Sequence, residues 1–300
     1  MSAVLAPAAN RDLLARDARA ERVVAFALAL PCLIVVALCV LIPCGWLFYL
    51  SAFGNDGSLS WENYERVSSG ASYGRIFITT FEVSLLTVLA CVAIGVPFAA
   101  FVNSLPPRMA GLFVAAVLLP FWTSLLVRAY AWLVLLQRNG LINTALMDMG
   151  LTDAPLSLAF NWFSTVLGMT HIMLPIFILP VLGAMRNIDP GMMRAAASMG
   201  ASWGLTMRRV FLPLAAPGII AGAILVFVMS LGFYVTPAIL GGGNVQVISM
   251  RIARSLSNFS NWGAASALGV LLLLFTGALL VLGLMAQRLI FGARKGQDHA

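Results

Sequence analysis

Six long apolar runs divide this chain of 300 residues, and each run is longer than 20 residues. About 20 mostly apolar residues are enough for a helix to cross the hydrocarbon core of a bilayer. Inside a bilayer the backbone must satisfy its own hydrogen bonds, so runs of this length favour helices. We therefore expect an all-α, polytopic membrane protein with six transmembrane helices. The predicted spans are residues 23–50, 76–103, 110–136, 161–184, 212–238 and 264–291.

The scarcity of charged residues supports this class. Only 10% of the residues are charged, whereas soluble domains carry roughly 25%. The net charge of +7 could suit nucleic acid, but no basic stripe with interleaved aromatic residues lies in a soluble domain, so no nucleic-acid partner is expected. All four cysteines lie in apolar runs without metal-ligand spacing, which predicts small hydrophobic side chains and no metal site.

The basic residues predict the orientation, because cytoplasmic loops of membrane proteins carry an excess of Lys and Arg. With a cytoplasmic N-terminus, 12 of the 18 basic residues lie inside, 5 lie outside and Arg128 falls within a span. We therefore expect an inner-membrane protein with both termini in the cytoplasm. Its parts would be a cytoplasmic arm over residues 1–22, a transmembrane domain over 23–291 and a cytoplasmic tail over 292–300.

The longest predicted inner loop, residues 185–211, is polar and compatible with helices. Asp189 can cap the start of a helix, with Pro190 at its first position. A short helix is predicted over Met192–Met199. Gly200 then suits the left-handed residue that commonly ends a helix.

A second helix is predicted after this turn. Ser202 can cap it, and it would carry Arg208 and Arg209 and continue towards Pro213. The pair of helices would lie against the inner membrane face, where the small side chains of 195–197 would let a partner's groove approach the backbone. An ordinary amphipathic interfacial helix would also suit Met, Ala and Arg, and this alternative stays open.

This loop resembles the EAA motif of type I ABC importers, the segment through which a permease docks on its ATPase. The matching residues are Ala195, Ala196, Gly200, Ala201, Val210, Leu212, Pro213, Pro217, Gly218 and Ile219. Arg194 stands where the family usually has Glu, and Met207 stands where an aromatic residue is common. The residues to which the resemblance assigns ATPase coupling are Asp189, Arg194, Ala195, Ala196, Gly200, Ala201, Arg208 and Arg209. The two arginines at 208 and 209 would anchor the loop at the anionic inner leaflet or on the ATPase.

Further motifs between about residues 75 and 290 are similar to those of spermidine/putrescine permeases. They are LPFWTS at 119–124, LVR at 126–128, YAW at 130–132, GLIN at 140–143, LP at 174–175 and 179–180, FYVTPA at 233–238 and LGGG at 240–243. The resemblance implies the methionine-importer-like fold of type I ABC importer permeases. It also implies a polyamine such as putrescine or spermidine as substrate, with opines, another small amine or an aminophosphonate as the alternative.

The same resemblance implies partners. They are a second homologous permease subunit, a dimer of ABC ATPases, a periplasmic solute-binding protein and the lipid bilayer. The chain contains no GxxxxGK[ST] phosphate loop, so ATP and Mg²⁺ are expected on the partner ATPase. We expect neither a cofactor in this chain nor enzymatic activity.

Three ionisable side chains fall inside the predicted spans, where such residues suggest function because they are costly to bury. They are Glu82, Arg128 and His171. One interpretation is a substrate path for a cation, since carboxylates and aromatic faces attract ammonium groups. The candidate path residues are Glu82, Trp122, Arg128, Tyr130 and Tyr234. The other interpretation is a structural pair between Glu82 and Arg128, and His171 is expected to be a hydrogen-bonding residue between helices.

Two other classes are less favoured. A secondary transporter would need a coupling-ion site, usually of paired carboxylates or broken helices in related repeats, and the chain has one clear intramembrane acid and no visible repeat. A membrane anchor for a redox or signalling complex would require histidine pairs or a soluble domain. The glycines at 241–243 could cradle a phosphate, but we favour a flexible turn that meets the solute-binding protein.

Overall fold

In the computed structural model, residues 7–54, 58–258 and 261–295 are described, and their regular elements are helices. Five helices in these ranges are long and apolar enough to cross a membrane, and a bent pair makes a sixth if it is counted as one span. The expectation of an all-α protein with six spans is confirmed on that count. Of the predicted arm and tail, residues 1–6 and 296–300 lie outside the described residues.

The described residues form thirteen α-helices. They are α1 (Pro7–Ser51), α2 (Glu62–Ser69), α3 (Ala71–Asn103), α4 (Pro107–Leu118), α5 (Leu125–Leu136), α6 (Leu141–Asp148), α7 (Trp162–Arg186), α8 (Pro190–Ser198), α9 (Trp203–Thr206), α10 (Leu212–Leu231), α11 (Val235–Leu240), α12 (Ile248–Ser257) and α13 (Trp262–Lys295). The predicted first, second, fourth, fifth and sixth spans correspond to α1, α3, α7, α10 and α13.

Helices α3, α7 and α10 form the core of the molecule, and α7 packs against both of the others. Their main apolar cluster includes Cys91, Phe177 and Val226, one from each helix. The α7–α10 contact is close: a Cβ added to Gly218 would lie 2.7 Å from the carbonyl oxygen of Pro180. Small residues at such contacts let membrane helices approach closely, where packing rather than the hydrophobic effect holds them together.

Helix α1 lies at the periphery and packs against α13. None of the apolar window within its predicted span is buried inside the chain, and large side chains such as Leu28 and Leu41 are exposed. An apolar helix that leaves its surface uncovered is suited to lipid or to another transmembrane subunit. The chain is thus a multi-pass membrane protein whose first helix lies outside its core.

The third span differs from the prediction. A continuous helix over 110–136 is wrong, because α4 passes into a 3-10 turn at Leu119–Trp122 and the chain then bends by 98° into α5 and α6. Pro120 has no N–H to donate within a helix, and Thr123 and Ser124 take extended ψ angles of 150° and 137°. Hydropathy alone missed the break because the apolar run continues through it.

The fifth span ends earlier than predicted. Helix α10 stops at Leu231 rather than near 238, and 235–240 forms the separate helix α11. The carbonyl of Phe233 accepts a hydrogen bond of 2.8 Å from the Ser249 hydroxyl. This bond to a distant residue satisfies a backbone group that a continued helix would otherwise have to satisfy.

Candidate functional site

The loop at 185–211 begins with the helix that the sequence predicts. The Asp189 carboxylate accepts a 2.8 Å hydrogen bond from the backbone N–H of Gly191, and Pro190 occupies the first turn of α8. This side chain satisfies one of the donors left free at a helix start, and its negative charge suits the positive end of the helix dipole. The start of the predicted helix at Asp189 is therefore confirmed.

Helix α8 ends in a Schellman motif. Gly200 has a φ of +83°, in the left-handed region that costs other residues energy. Its N–H donates to the carbonyl of Ala197 at 3.0 Å, and the N–H of Ala201 donates to the carbonyl of Ala196 at 3.1 Å. These two bonds satisfy carbonyls at the helix end. The predicted role of Gly200 as the terminating residue is confirmed.

The second helix of the loop is also present, with one irregularity. The Ser202 hydroxyl accepts from the N–H of Leu205 at 3.4 Å and caps α9, which leads directly into the π-helical segment Met207–Phe211. There the N–H of Leu212 donates to the carbonyl of Met207, five residues back. Leu212 and then Pro213 follow the segment, and the missing N–H of Pro213 cannot continue the regular hydrogen-bond ladder.

The loop presents an apolar surface to the outside of the chain. We call it the docking face: Met192, Ala195, Met199, Trp203 and Leu205. Met199 and Trp203 are 83% and 76% exposed. Large apolar side chains left exposed along one short loop usually mark an interaction surface. Sequence reasoning singled out the small residues here and missed Trp203, whose indole is among the most exposed large side chains of the loop.

The other predicted coupling residues divide into two groups. Arg194, Arg208 and Arg209 are exposed, so their charges are available to a partner or to lipid headgroups. Ala196 is 5% exposed and is therefore buried within this chain. Its small side chain packs α8 onto the protein rather than facing outward, while Ala195 on the same helix does face outward.

Glu82 lies at the opposite end of the molecule from this loop. It lines a cavity of about 750 Å³, whose other wall residues are Gly74, Arg75, Ile78, Thr79, Trp162 and Asn244. Trp162 is the first residue of α7 and Arg186 is its last. At 1.5 Å per residue, this helix separates the cavity from the 185–211 loop by about 37 Å.

The other candidate path residues lie elsewhere. Trp122 is 83% exposed and lines a different cavity of about 350 Å³ between the broken third span and α7. Tyr130 on α5 and Tyr234, just before α11, are exposed. The structure therefore groups Glu82 with Trp162 and Asn244 rather than with Trp122, and a shared path through all the predicted residues stays a prediction.

The expected pair between Glu82 and Arg128 is not formed. Among the described residues the one ion pair joins Arg66 to Glu62 on α2. The guanidinium of Arg128 lies 5.8 Å from the ring centroid of Phe121, and its Nε and Nη1 atoms are buried without a hydrogen-bond partner in the described part of the chain. The expected pair depended on an unbroken third span that would hold Arg128 at the depth of Glu82. The span instead breaks between Phe121 and Arg128, so the helix that carries Arg128 runs in another direction.

His171 makes the interhelical hydrogen bond expected of it. The indole Nε1–H of Trp132 on α5 donates to Nδ1 of His171 on α7 at 3.0 Å. The two rings meet edge to face with centroids 5.8 Å apart. Because Nδ1 accepts this bond, the neutral imidazole carries its proton on the other nitrogen. The bond attaches the bent third span to the core helix.

The glycine turn after α11 is held by specific contacts. Gly242 and Gly243 have φ angles of +55° and +86°. The Asn244 side chain donates to the carbonyl of Phe160 at 2.8 Å, and the Ser164 hydroxyl donates to the carbonyl of Leu240 at 2.9 Å. The turn is thereby attached to the start of α7. Across the described residues, no group of three or more His, Cys, Asp or Glu side chains could hold a metal ion.

Comparison with known proteins places these features in context. No family model matches the chain. The chain is 31% identical over 257 residues to the spermidine/putrescine transport system permease protein PotB of Haemophilus influenzae, which covers 84% of this chain and 90% of that protein. It is 30% identical over 229 residues to PotB of Escherichia coli K12, covering 76% and 83% respectively.

A solved structure shares the fold. A chain of a bacterial alginate ABC transporter, in complex with an alginate-bound periplasmic protein, superposes with a TM-score of 0.73. The match covers 92% of this chain and 97% of that chain at 18% identity. The chain therefore has the transmembrane fold of an ABC importer permease, as the resemblance in its loop motif implied.

Proposed function

The chain belongs to the family of spermidine/putrescine permeases of ABC importers, and from this membership we propose that it is a membrane-spanning subunit that moves polyamines such as putrescine or spermidine. The observation that carries the proposal is the 31% identity to a PotB protein over 90% of that protein's length. Opines and other small amines are not favoured, since both PotB relatives carry spermidine and putrescine in their names. The work of this subunit is transport rather than catalysis.

The geometry of the loop supports an ATPase partner. A helix with a satisfied start at Asp189 and a satisfied end at Gly200 is a rigid element, and it carries exposed apolar residues on its surface. A rigid exposed helix can transmit the movement of a docked protein to the core, because α8 follows directly on α7. We assign the docking face to one subunit of an ATPase dimer, which binds ATP and Mg²⁺.

The remaining partners are supported by the fold. The alginate transporter shows a permease of this fold in complex with a periplasmic protein. We assign a periplasmic solute-binding protein to the end of this chain opposite the 185–211 loop, and a second homologous permease to its uncovered transmembrane surface. Both termini then lie in the cytoplasm, in agreement with the distribution of basic residues.

The function is tested by uptake of labelled putrescine and spermidine. Cells would express this chain with its second permease, ATPase and binding protein, beside cells in which the ATPase carries an inactive nucleotide site. We expect saturable uptake that requires the active ATPase. Saturable uptake of another amine with none of putrescine or spermidine would discard the polyamine assignment, while uptake without an active ATPase would discard the importer itself.

The docking assignment needs its own experiment. Trp203→Ala would remove the largest exposed side chain of the docking face. The control is Trp61→Ala, which would remove a similarly exposed indole (71%) outside the loop, just before α2. We expect the first variant to reduce co-purification of the ATPase and the second to retain it. Equal retention of the ATPase by both variants would contradict the docking face.

A further inference from the structure

We propose that the cavity around Glu82, Trp162 and Asn244 is an ammonium-binding site of this subunit, and that it takes one end of a primary amine with an aliphatic chain. We call this cavity the outer recess. It holds a carboxylate, an indole and an amide within one space of about 750 Å³. The choice of a polyamine as its ligand rests on the proposed function, whereas the preference for a cation rests on the recess itself.

Glu82 supplies the charge of the outer recess. It lies on the same face of α3 as Ile78 and Thr79, which also line the recess, because residues three and four apart are neighbours on a helix. Its side chain makes no ion pair among the described residues, where Arg66 and Glu62 form the one pair. A carboxylate without a fixed cation in a partly apolar cavity is suited to bind an ammonium group.

Trp162 supplies an aromatic wall, and the start of α7 holds it in place. The preceding residue, Asn161, forms a capping box with Ser164: its side chain accepts from the Ser164 N–H at 3.0 Å, and the Ser164 hydroxyl accepts from the Asn161 N–H at 3.2 Å. The indole packs against the buried cluster that includes Val83 and Val245. Because Trp162 lines the recess, a cation bound there would lie beside an aromatic ring, and aromatic π faces attract cations.

Asn244 supplies a hydrogen-bond acceptor. Its side-chain nitrogen already donates to the carbonyl of Phe160 at 2.8 Å. This bond fixes the orientation of the amide and leaves the side-chain oxygen available to the recess. Phe160 itself has a φ of +61°, a left-handed conformation that is uncommon for a bulky residue. Such strained positions tend to occur at functional sites, where the surrounding structure holds them.

The aliphatic part of the ligand has a place beside the recess. A second cavity of about 580 Å³ lies between α3 and α7, is almost entirely apolar and shares Trp162 with the recess. On α3 it is lined by Leu86, Leu89 and Ala93, which continue the face that carries Glu82. An ammonium group at Glu82 would therefore have methylene-sized apolar space further along the same groove, towards the 185–211 loop.

Arg75 limits the chemistry of the recess. It lies seven residues before Glu82, about 10 Å away along the helix axis. Its positive charge disfavours a second ammonium group at that end, so a diamine would extend away from Arg75 and along the apolar groove. A zwitterionic ligand would instead use Arg75 for its anionic end, and this difference makes Arg75 a test of the ligand class.

The first test measures charge selectivity of the recess without any substrate. In the assembled transporter, with the four native cysteines of this chain replaced by alanine, Thr79→Cys would place a thiol in the recess wall. We expect a cationic methanethiosulfonate to react with it several-fold faster than an anionic one. Adding Glu82→Gln should remove this preference, and adding Glu65→Gln, an exposed acid on α2, should leave it. The absence of any preference, or its persistence with Glu82→Gln, would overturn the site.

The second test uses putrescine as the probe. We expect putrescine to slow labelling of the Thr79→Cys thiol, and Glu82→Gln to raise the putrescine concentration that is needed by about 10-fold or more. Trp162→Leu should raise it as well, and Arg75→Gln should leave it unchanged or lower it. Intact putrescine uptake without any protection would overturn the recess and keep the proposed function. A preference for the cationic reagent in the first test, without putrescine uptake, would overturn the proposed substrate and support the recess as an ammonium-binding site.

Discussion

The two ends of the molecule are built by different kinds of contact. In the 185–211 loop every cap is local: Asp189 bonds two residues ahead, Ser202 bonds three ahead, and the turn at Gly200 bonds within five residues. At the outer recess a local capping box is joined by long-range bonds: the Asn244 side chain donates to the Phe160 carbonyl across 84 residues, and the backbone N–H of Ile248 donates to the Thr80 hydroxyl across 168.

We expect substitutions that affect folding to lie in a different part of the molecule from those that affect transport alone. Substitutions in the helical core should reduce the amount of folded protein, because α3, α7 and α10 pack against one another at the centre of the molecule. Substitutions in the loop should leave the protein folded and change only what its rigid helix transmits. Loop variants that fail to fold would contradict this expectation, and so would core variants that fold normally and lose transport alone.

The largest effect is expected in the core, from Gly218→Val. A Cβ at this position would meet the Pro180 carbonyl oxygen at 2.7 Å, so the added side chain would force α7 and α10 apart. Overpacking of this kind costs about 1–3 kcal/mol. We expect several-fold less protein in the membrane fraction and a lower unfolding temperature in detergent.

The matched control for this variant is Gly183→Val on α7, where an added Cβ would meet nothing within 4 Å. It should accumulate as the wild type does. Equal losses from both variants would mean that helix propensity rather than packing decides the result, and the close α7–α10 contact would not be the cause.

The next effect is expected in the loop, from Gly200→Ala. A non-glycine residue at a φ of +83° costs about 1–2 kcal/mol. The end of α8 should therefore loosen, and polyamine uptake should fall about fivefold while the amount of protein in the membrane stays constant. Gly204→Ala, in α9 with nothing within 4 Å of its Cβ, is the control and should retain uptake. Loss of the protein itself in Gly200→Ala would remove the distinction between loop and core.

A smaller effect is expected at the other end of the same helix. Asp189→Ala removes the cap on the Gly191 N–H and should destabilise the start of α8 by about 1 kcal/mol. We expect uptake to fall about twofold to threefold, and Asp189→Asn to restore most of it because asparagine also caps helices. If the asparagine variant is as impaired as the alanine variant, the charge of Asp189 rather than its cap is required.

The smallest effect is expected from Trp132→Phe, which removes the N–H donor to His171 and keeps an aromatic ring. Interhelical hydrogen bonds in membrane proteins contribute about 0.6 kcal/mol on average. We expect a drop of a few degrees or less in the unfolding temperature in detergent. The same change in a His171→Phe background should have no additional effect, and an equal drop there would show that the bond is not the source.

Several expectations from the sequence are confirmed, and each has a local cause. The helix start at Asp189 and the helix end at Gly200 depend on residues within five positions of each other. The five unbroken spans depend on apolar runs long enough for a bilayer. The break near Pro120 was missed because hydropathy does not report backbone direction, and Trp203 was missed because exposure depends on how the loop lies on the core.

The sequence by itself determined the class, the approximate spans and the caps of the 185–211 loop, since composition and short-range hydrogen bonding are properties of consecutive residues. Only the tertiary structure decided which side chains share a space. Glu82 shares a cavity with Trp162 and Asn244, and not with Arg128, because the packing of α3 against α7 and the bend of the third span fix positions that are tens of residues apart. Helix packing and chain direction determine which residues share a cavity, and neither can be inferred from a single segment of the sequence.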